Sequence, residues 1–124
     1  MIRNQKWSTS FKNALGGIFY ALRTQRNFKV HIVLSFAVLA LAFWLEISLA
    51  KFLFLVLAIT FGLVVEMANT AFEKTLDAVS EEYNSKIKVA KDVSAGMMLL
   101  ASVGLAILGI LIFLPPLWEK ITGK

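Results

Sequence analysis

Glu66, Asn69, Glu73 and Asp77 recur at helical spacing just past a long apolar run. At about 100° per residue, the last three lie within roughly 60° of Glu66, so a helix carries all four as one stripe. The same face continues N-terminally through Gly62 and Ala58 as a narrow groove of small residues. Carboxylates this close to an apolar run are costly to place, and their default reading is functional. The fourteen residues Phe52–Val65 cover only about 21 Å, less than the roughly 30 Å of a bilayer's hydrocarbon core. Glu66 therefore belongs at or just inside the core boundary. Asp77, eleven residues on, lies about 16 Å farther along the axis, in water.

This grading by depth suggests a division of labour. Glu66 and Glu73 stand about 10 Å apart along one helix, too far to share one metal. Phosphoryl transfer to a hydroxyl in the membrane asks for a base at lipid depth. Nearer the water it asks for a carboxylate on a metal-bound nucleotide and a lysine for phosphate charge. Glu66, Glu73 and Lys91 answer that description, and Asp92 adds an acid where the next apolar run opens. The competing readings are a proton site in a small proton-coupled transporter, or carboxylates paired structurally to Lys and Arg. Transporter sites gather near the bilayer midplane, which the stripe does not.

The elements that must position these residues follow from composition and periodicity. The 124 residues are 58% hydrophobic and 17% charged, with a net charge of +5, and the mean hydropathy is +0.72. That length suits a single domain over residues 1–124, too apolar for an ordinary soluble one. The fold expected is all-α and membrane-integral. Its transmembrane helices fall at about 30–49, 52–72 and 93–114, after an amphipathic surface helix at about 8–26. In the surface helix Phe11, Ala14, Leu15, Ile18 and Leu22 share one face, with Ser8 or Ser10 as candidate caps. His31 reads as a polar residue at headgroup level and Trp44 as an interfacial anchor. Residues 78–90 read as a polar connection with room for a turn and a little helix, and Pro115-Pro116 as the stop of the last helix. That helix is rich in Gly, Ala and Ser, which permit close helix approach in lipid.

Several classes are excluded. No cysteine is present, so thiolate metal sites and disulfides are absent, and a single histidine cannot form a multi-histidine centre. No Gly-rich phosphate loop of a soluble kinase occurs, no signal-peptide pattern opens the chain, and no nucleic-acid partner is expected. Lys and Arg number six over residues 1–29 and four over 74–91, against one in the 46–51 loop and two after Trp118. The N-terminus and the acidic stripe are therefore expected on the cytoplasmic side, with the C-terminus outside.

The stretch Glu66-Met-Ala-Asn-Thr-Ala-Phe-Glu-Lys-Thr-Leu-Asp77 resembles the signature of the prokaryotic diacylglycerol kinases. Ser80-Glu-Glu-Tyr83 and Ala90-Lys-Asp-Val-Ser-Ala-Gly96 resemble that family's loop and third-helix start. Arg23-Thr-Gln-Arg-Asn-Phe-Lys-Val-His31 is similar to the version in undecaprenol kinases of Gram-positive-type bacteria. The resemblance covers roughly residues 10–114. It implies a homotrimer in the bacterial cytoplasmic membrane, with active sites shared between subunits, phosphorylating a lipid alcohol with ATP and Mg²⁺. Undecaprenol is the expected acceptor and diacylglycerol the alternative. Carried over by position, Glu66 is the general base and Glu73 holds the metal, while Asn69, Glu73, Asp77, Lys91 and Asp92 bind nucleotide. One departure stands out: Gln25 occupies a position where the family commonly carries a metal-coordinating Glu. An amide offers one oxygen without the charge, so Mg²⁺ affinity should fall or the site decay to a non-catalytic trimer. Asn84 also stands where relatives often carry His.

Overall fold

The structure, a computed structural model, describes residues 7–79 and 84–123. It consists of four helices: α1 (Trp7–Thr24), α2 (Arg26–Trp44), α3 (Leu49–Val79) and α4 (Ser85–Thr122). Three of them, α2, α3 and α4, are long and apolar enough to cross a membrane. The outward faces agree: Phe36, Leu57 and Leu100 are among many large apolar side chains left exposed. A chain folded for water would not leave so much apolar surface contiguous.

A single extended residue, Gln25, separates α1 from α2, and it lies ahead of α2 without a side-chain cap. Helix α1 is already under way at Trp7, so Ser8 and Ser10 lie within its first turn and do not cap it. Helix α2 begins four residues earlier than the apolar run, taking in Arg26–Lys29. The α2–α3 connection is tight. Glu46 adopts the left-handed region at φ 51°, and Ser48 Oγ accepts from the Lys51 N–H opening α3.

The polar connection expected at 78–90 is mostly helix. Helix α3 runs to Val79 and α4 starts at Ser85, leaving five residues between them. The resemblance noted at Ser80–Tyr83 lies outside the described residues. Asn84 caps α4, its Oδ1 accepting from Lys86 N–H at 2.9 Å, a role that Asn fills well. At 31 residues, α3 is about 46 Å long, so it carries the stripe well past an apolar core of roughly 30 Å.

Helix α4 also corrects the expected stop at Leu114, continuing through Pro115 and Pro116 to Thr122. The prolines forfeit two backbone donors, but the segment beyond them is tied down. Lys120 Nζ donates to the Trp44 carbonyl at 2.6 Å and lies 4.6 Å above the Trp44 ring. Gly123, left-handed at φ 66°, closes the helix, its N–H reaching Glu119 O at 2.9 Å. These ties, at the open C-terminal end of α2, offset what the prolines cost locally. Lys120→Met is expected to lower unfolding stability by about 0.5–1 kcal/mol, because the contact is solvent-exposed. Thermal unfolding in detergent would detect it; an unchanged midpoint would show that the prolines tolerate the helix unaided.

The buried apolar cluster of Ala42, Leu55 and Ile112, backed by Val38, Phe52, Leu108 and Phe113, sits at that same end. At mid-height α3 and α4 come close. A Cβ on Gly62 would stand 2.9 Å from Leu105 Cδ1 and 3.5 Å from His31 Nδ1. The missing side chain at Gly62 thus lets α2 and α4 both close on α3. Helix α3 runs antiparallel to the other two, and its polar half faces the start of α4.

Candidate functional site

The stripe forms one face of α3, as its spacing requires, but its members differ sharply in environment. Glu66 is only 2% exposed. Its backbone carbonyl accepts from Thr70 Oγ1 at 3.0 Å, and its Oε2 has no hydrogen-bond partner among the described residues. A buried carboxylate oxygen left unpaired is expensive, so it calls for a specific reason such as a catalytic role, a water or an ion. Below it on the same face is Gly62, with the His31 ring against the glycine. His31, expected as a polar residue at headgroup level, is half-buried with its ring against α3 at Gly62.

One turn toward the water, Asn69 is buried between two partners. Its Nδ2 donates to Glu73 Oε1 at 3.1 Å, and its Oδ1 accepts from Ser94 Oγ on α4 at 2.7 Å. Ser94 is itself buried. Sequence reasoning counted it among the small residues of α4 and within the Ala90–Gly96 resemblance, with no role of its own. The available signal was its place three residues after Lys91, on the face of α4 that meets the stripe. Glu73 is half-exposed.

Past the apolar segment, Asp77 Oδ1 accepts from Lys91 Nζ at 2.7 Å, with both side chains about half exposed. That hydrogen bond and the lysine's charge hold the Asp77 carboxyl below the usual carboxylate range. Asp92 does not join this group. It pairs with Lys88 one turn back on its own helix, on an exposed face. The expected convergence of Lys91 and Asp92 on the stripe is therefore met by Lys91 alone.

Gln25 sits at the α1–α2 break, its Nε2 donating to Thr24 Oγ1 at 3.1 Å. No hydrogen bond joins it to the stripe among the described residues. Nor do these residues bring three acids or histidines within reach of one metal ion. A magnesium ion nonetheless fits, since Mg²⁺ is commonly held by one or two carboxylates plus nucleotide phosphates and keeps several waters. Glu73, half-exposed and held by Asn69, is the carboxylate that would hold it.

Comparison with known proteins bears on this arrangement. Residues 12–113 match the family model described as prokaryotic diacylglycerol kinase. A diacylglycerol kinase of Synechocystis sp. is 38% identical over 109 residues, covering 87% of this chain. The chain spans 62% of that relative's length. The undecaprenol kinase of Bacillus subtilis is 38% identical over 108 residues, 87% of this chain and 88% of that protein. A diacylglycerol kinase of Pseudomonas aeruginosa is 30% identical over 88 residues, 71% of this chain and 72% of its own length. The matched span contains the whole stripe, the helix break at Gln25 and the Ser94 contact, and the chain belongs to the prokaryotic diacylglycerol kinase family.

Proposed function

We propose that this multi-pass lipid kinase transfers the γ-phosphoryl group of ATP, as its Mg²⁺ complex, to the hydroxyl of undecaprenol. The observation that carries it is the buried Glu66 carboxylate, one oxygen unpartnered, at the lipid end of a stripe that reaches Lys91 in water. Glu66 Oε2 accepts the hydroxyl proton as the lipid oxygen bonds to the γ-phosphorus and the bond to the ADP oxygen breaks. Glu73 holds the metal, which when bound neutralises charge on the β- and γ-phosphates. Asn69 keeps Glu73 in place, and Asp77 with Lys91 meets the nucleotide at the aqueous end. Asp92, paired with Lys88 on an exposed face, reaches the nucleotide only from outside this group. Burial of Glu66 keeps bulk water from competing with the lipid hydroxyl.

Undecaprenol is favoured by the Arg23–His31 segment and by the match to nearly nine-tenths of the undecaprenol kinase of Bacillus subtilis. Diacylglycerol is the second acceptor, supported by an equal identity to the Synechocystis enzyme. The chain works as a homotrimer in the bacterial cytoplasmic membrane, its sites shared between subunits. One chain contributes a single carboxylate to the metal, and wide apolar faces stand exposed for partners and lipid. Helix α1 lies on the membrane surface, with Phe11, Leu15, Ile18 and Leu22 toward the lipid; all four are exposed in the isolated chain. The stripe faces the cytoplasm, following the bias of Lys and Arg.

Purified protein with labelled ATP, Mg²⁺ and a panel of undecaprenol, diacylglycerol and ceramide tests this. Undecaprenol should carry most of the label, and no labelled lipid at all would refute the kinase reading. In the same assay Gln25→Glu should lower the Mg²⁺ needed for half-maximal rate several-fold, because a second carboxylate strengthens a hard-cation site. An unchanged requirement would mean position 25 does not meet the metal.

A further inference from the structure

The buried contact between α3 and α4 has a direction set by chemistry. An ionised carboxylate only accepts hydrogen bonds, so Glu73 must face the amide nitrogen of Asn69. The Asn69 carbonyl oxygen then faces Ser94, whose hydroxyl must donate. Donation therefore runs one way, from the Ser94 hydroxyl to Asn69 and from the Asn69 amide to Glu73. Neither Ser94 nor Asn69 has water available to replace a lost partner, since both are buried.

We propose that Ser94 is a positioning residue for the nucleotide–metal site: its hydroxyl locks the Asn69 amide, and the amide holds Glu73 in the orientation that receives MgATP. This rests on the assignment of Glu73 to the metal. Ser94 touches neither substrate nor metal and acts through Asn69. Without its hydroxyl the Asn69 carbonyl has no donor. The amide then rotates in search of one, and Glu73 loses the hydrogen bond that fixes it. Because Ser94 belongs to α4 and Glu73 to α3, the same link makes metal affinity depend on how the two helices seat against each other.

The test compares Ser94→Ala and Ser94→Thr with the parent, full-length and in detergent. Calorimetric binding of MgATP and of metal-free ATP is measured, with acceptor KM and thermal midpoint alongside. Alanine is well tolerated in helices and removes only the hydroxyl, so Ser94→Ala should fold. It is expected to bind MgATP about 10-fold more weakly, the scale on which supporting hydrogen bonds around metal ligands act. Metal-free ATP binding and the acceptor KM should stay within about twofold of the parent. Ser94→Thr, which keeps the hydroxyl, should recover MgATP binding. The proposal is overturned if Ser94→Ala binds MgATP like the parent, if both ATP forms weaken equally, or if Ser94→Thr is as impaired as Ser94→Ala. A parent that binds MgATP and labels lipid while Ser94→Ala is unaffected refutes this inference alone. A parent that labels no lipid refutes the kinase reading instead.

Discussion

Glu66→Gln is expected to lower kcat for lipid phosphorylation by roughly 10²–10⁴-fold, the range associated with a positioned general base. The amide matches the carboxylate in size but cannot take up the hydroxyl proton. Nothing else in the site depends on that oxygen, since Oε2 bonds to no described residue and Thr70 holds only the backbone carbonyl. Nucleotide binding should therefore be unchanged, because Asn69, Glu73 and Lys91 keep their partners. Thermal stability should hold or rise, since a neutral amide costs less to bury than a charge. Steady-state turnover at saturating ATP, nucleotide affinity and an unfolding curve separate these effects. A variant with parental turnover would remove Glu66 from the chemistry, and one that no longer binds nucleotide would make its role structural.

Glu73→Gln should give the complementary pattern. Its amide oxygen can still accept from Asn69 Nδ2, so the chain from Ser94 survives and only the charge is lost. Losing the carboxylate that holds a hard cation should raise the Mg²⁺ needed for half-maximal rate at least about 10-fold. Turnover should recover in part at high Mg²⁺, as it should not for Glu66→Gln. A Mg²⁺ titration of both variants beside the parent distinguishes the two carboxylates. Identical titration curves for Glu73→Gln and parent would refute the assignment of Glu73 to the metal.

Helical periodicity alone put Glu66, Asn69, Glu73 and Asp77 on one face. Three apolar runs and a long motif were enough for the three helices long and apolar enough to cross a membrane and for the family. These features are local: a residue's angular place on its own helix depends only on its number. The extents of the helices were less legible. Polar residues at 26–29 and 85–92 hid helical turns, because a transmembrane helix does not end where its apolar stretch ends. Pro115 and Pro116 marked a stop on local grounds, whereas Lys120 on Trp44 supplies a contact 76 residues away.

What only the tertiary structure decided is which residues of different helices come opposite one another. That register follows from the close approach at Gly62, where Leu105 and His31 press in. It brings Ser94 to Asn69 and Lys91 to Asp77, turns His31 inward, and leaves Asp92 with Lys88. Sequence spacing fixes positions around each helix axis but carries no information on how far one helix slides along another. The side chains that fit between the helices set that distance.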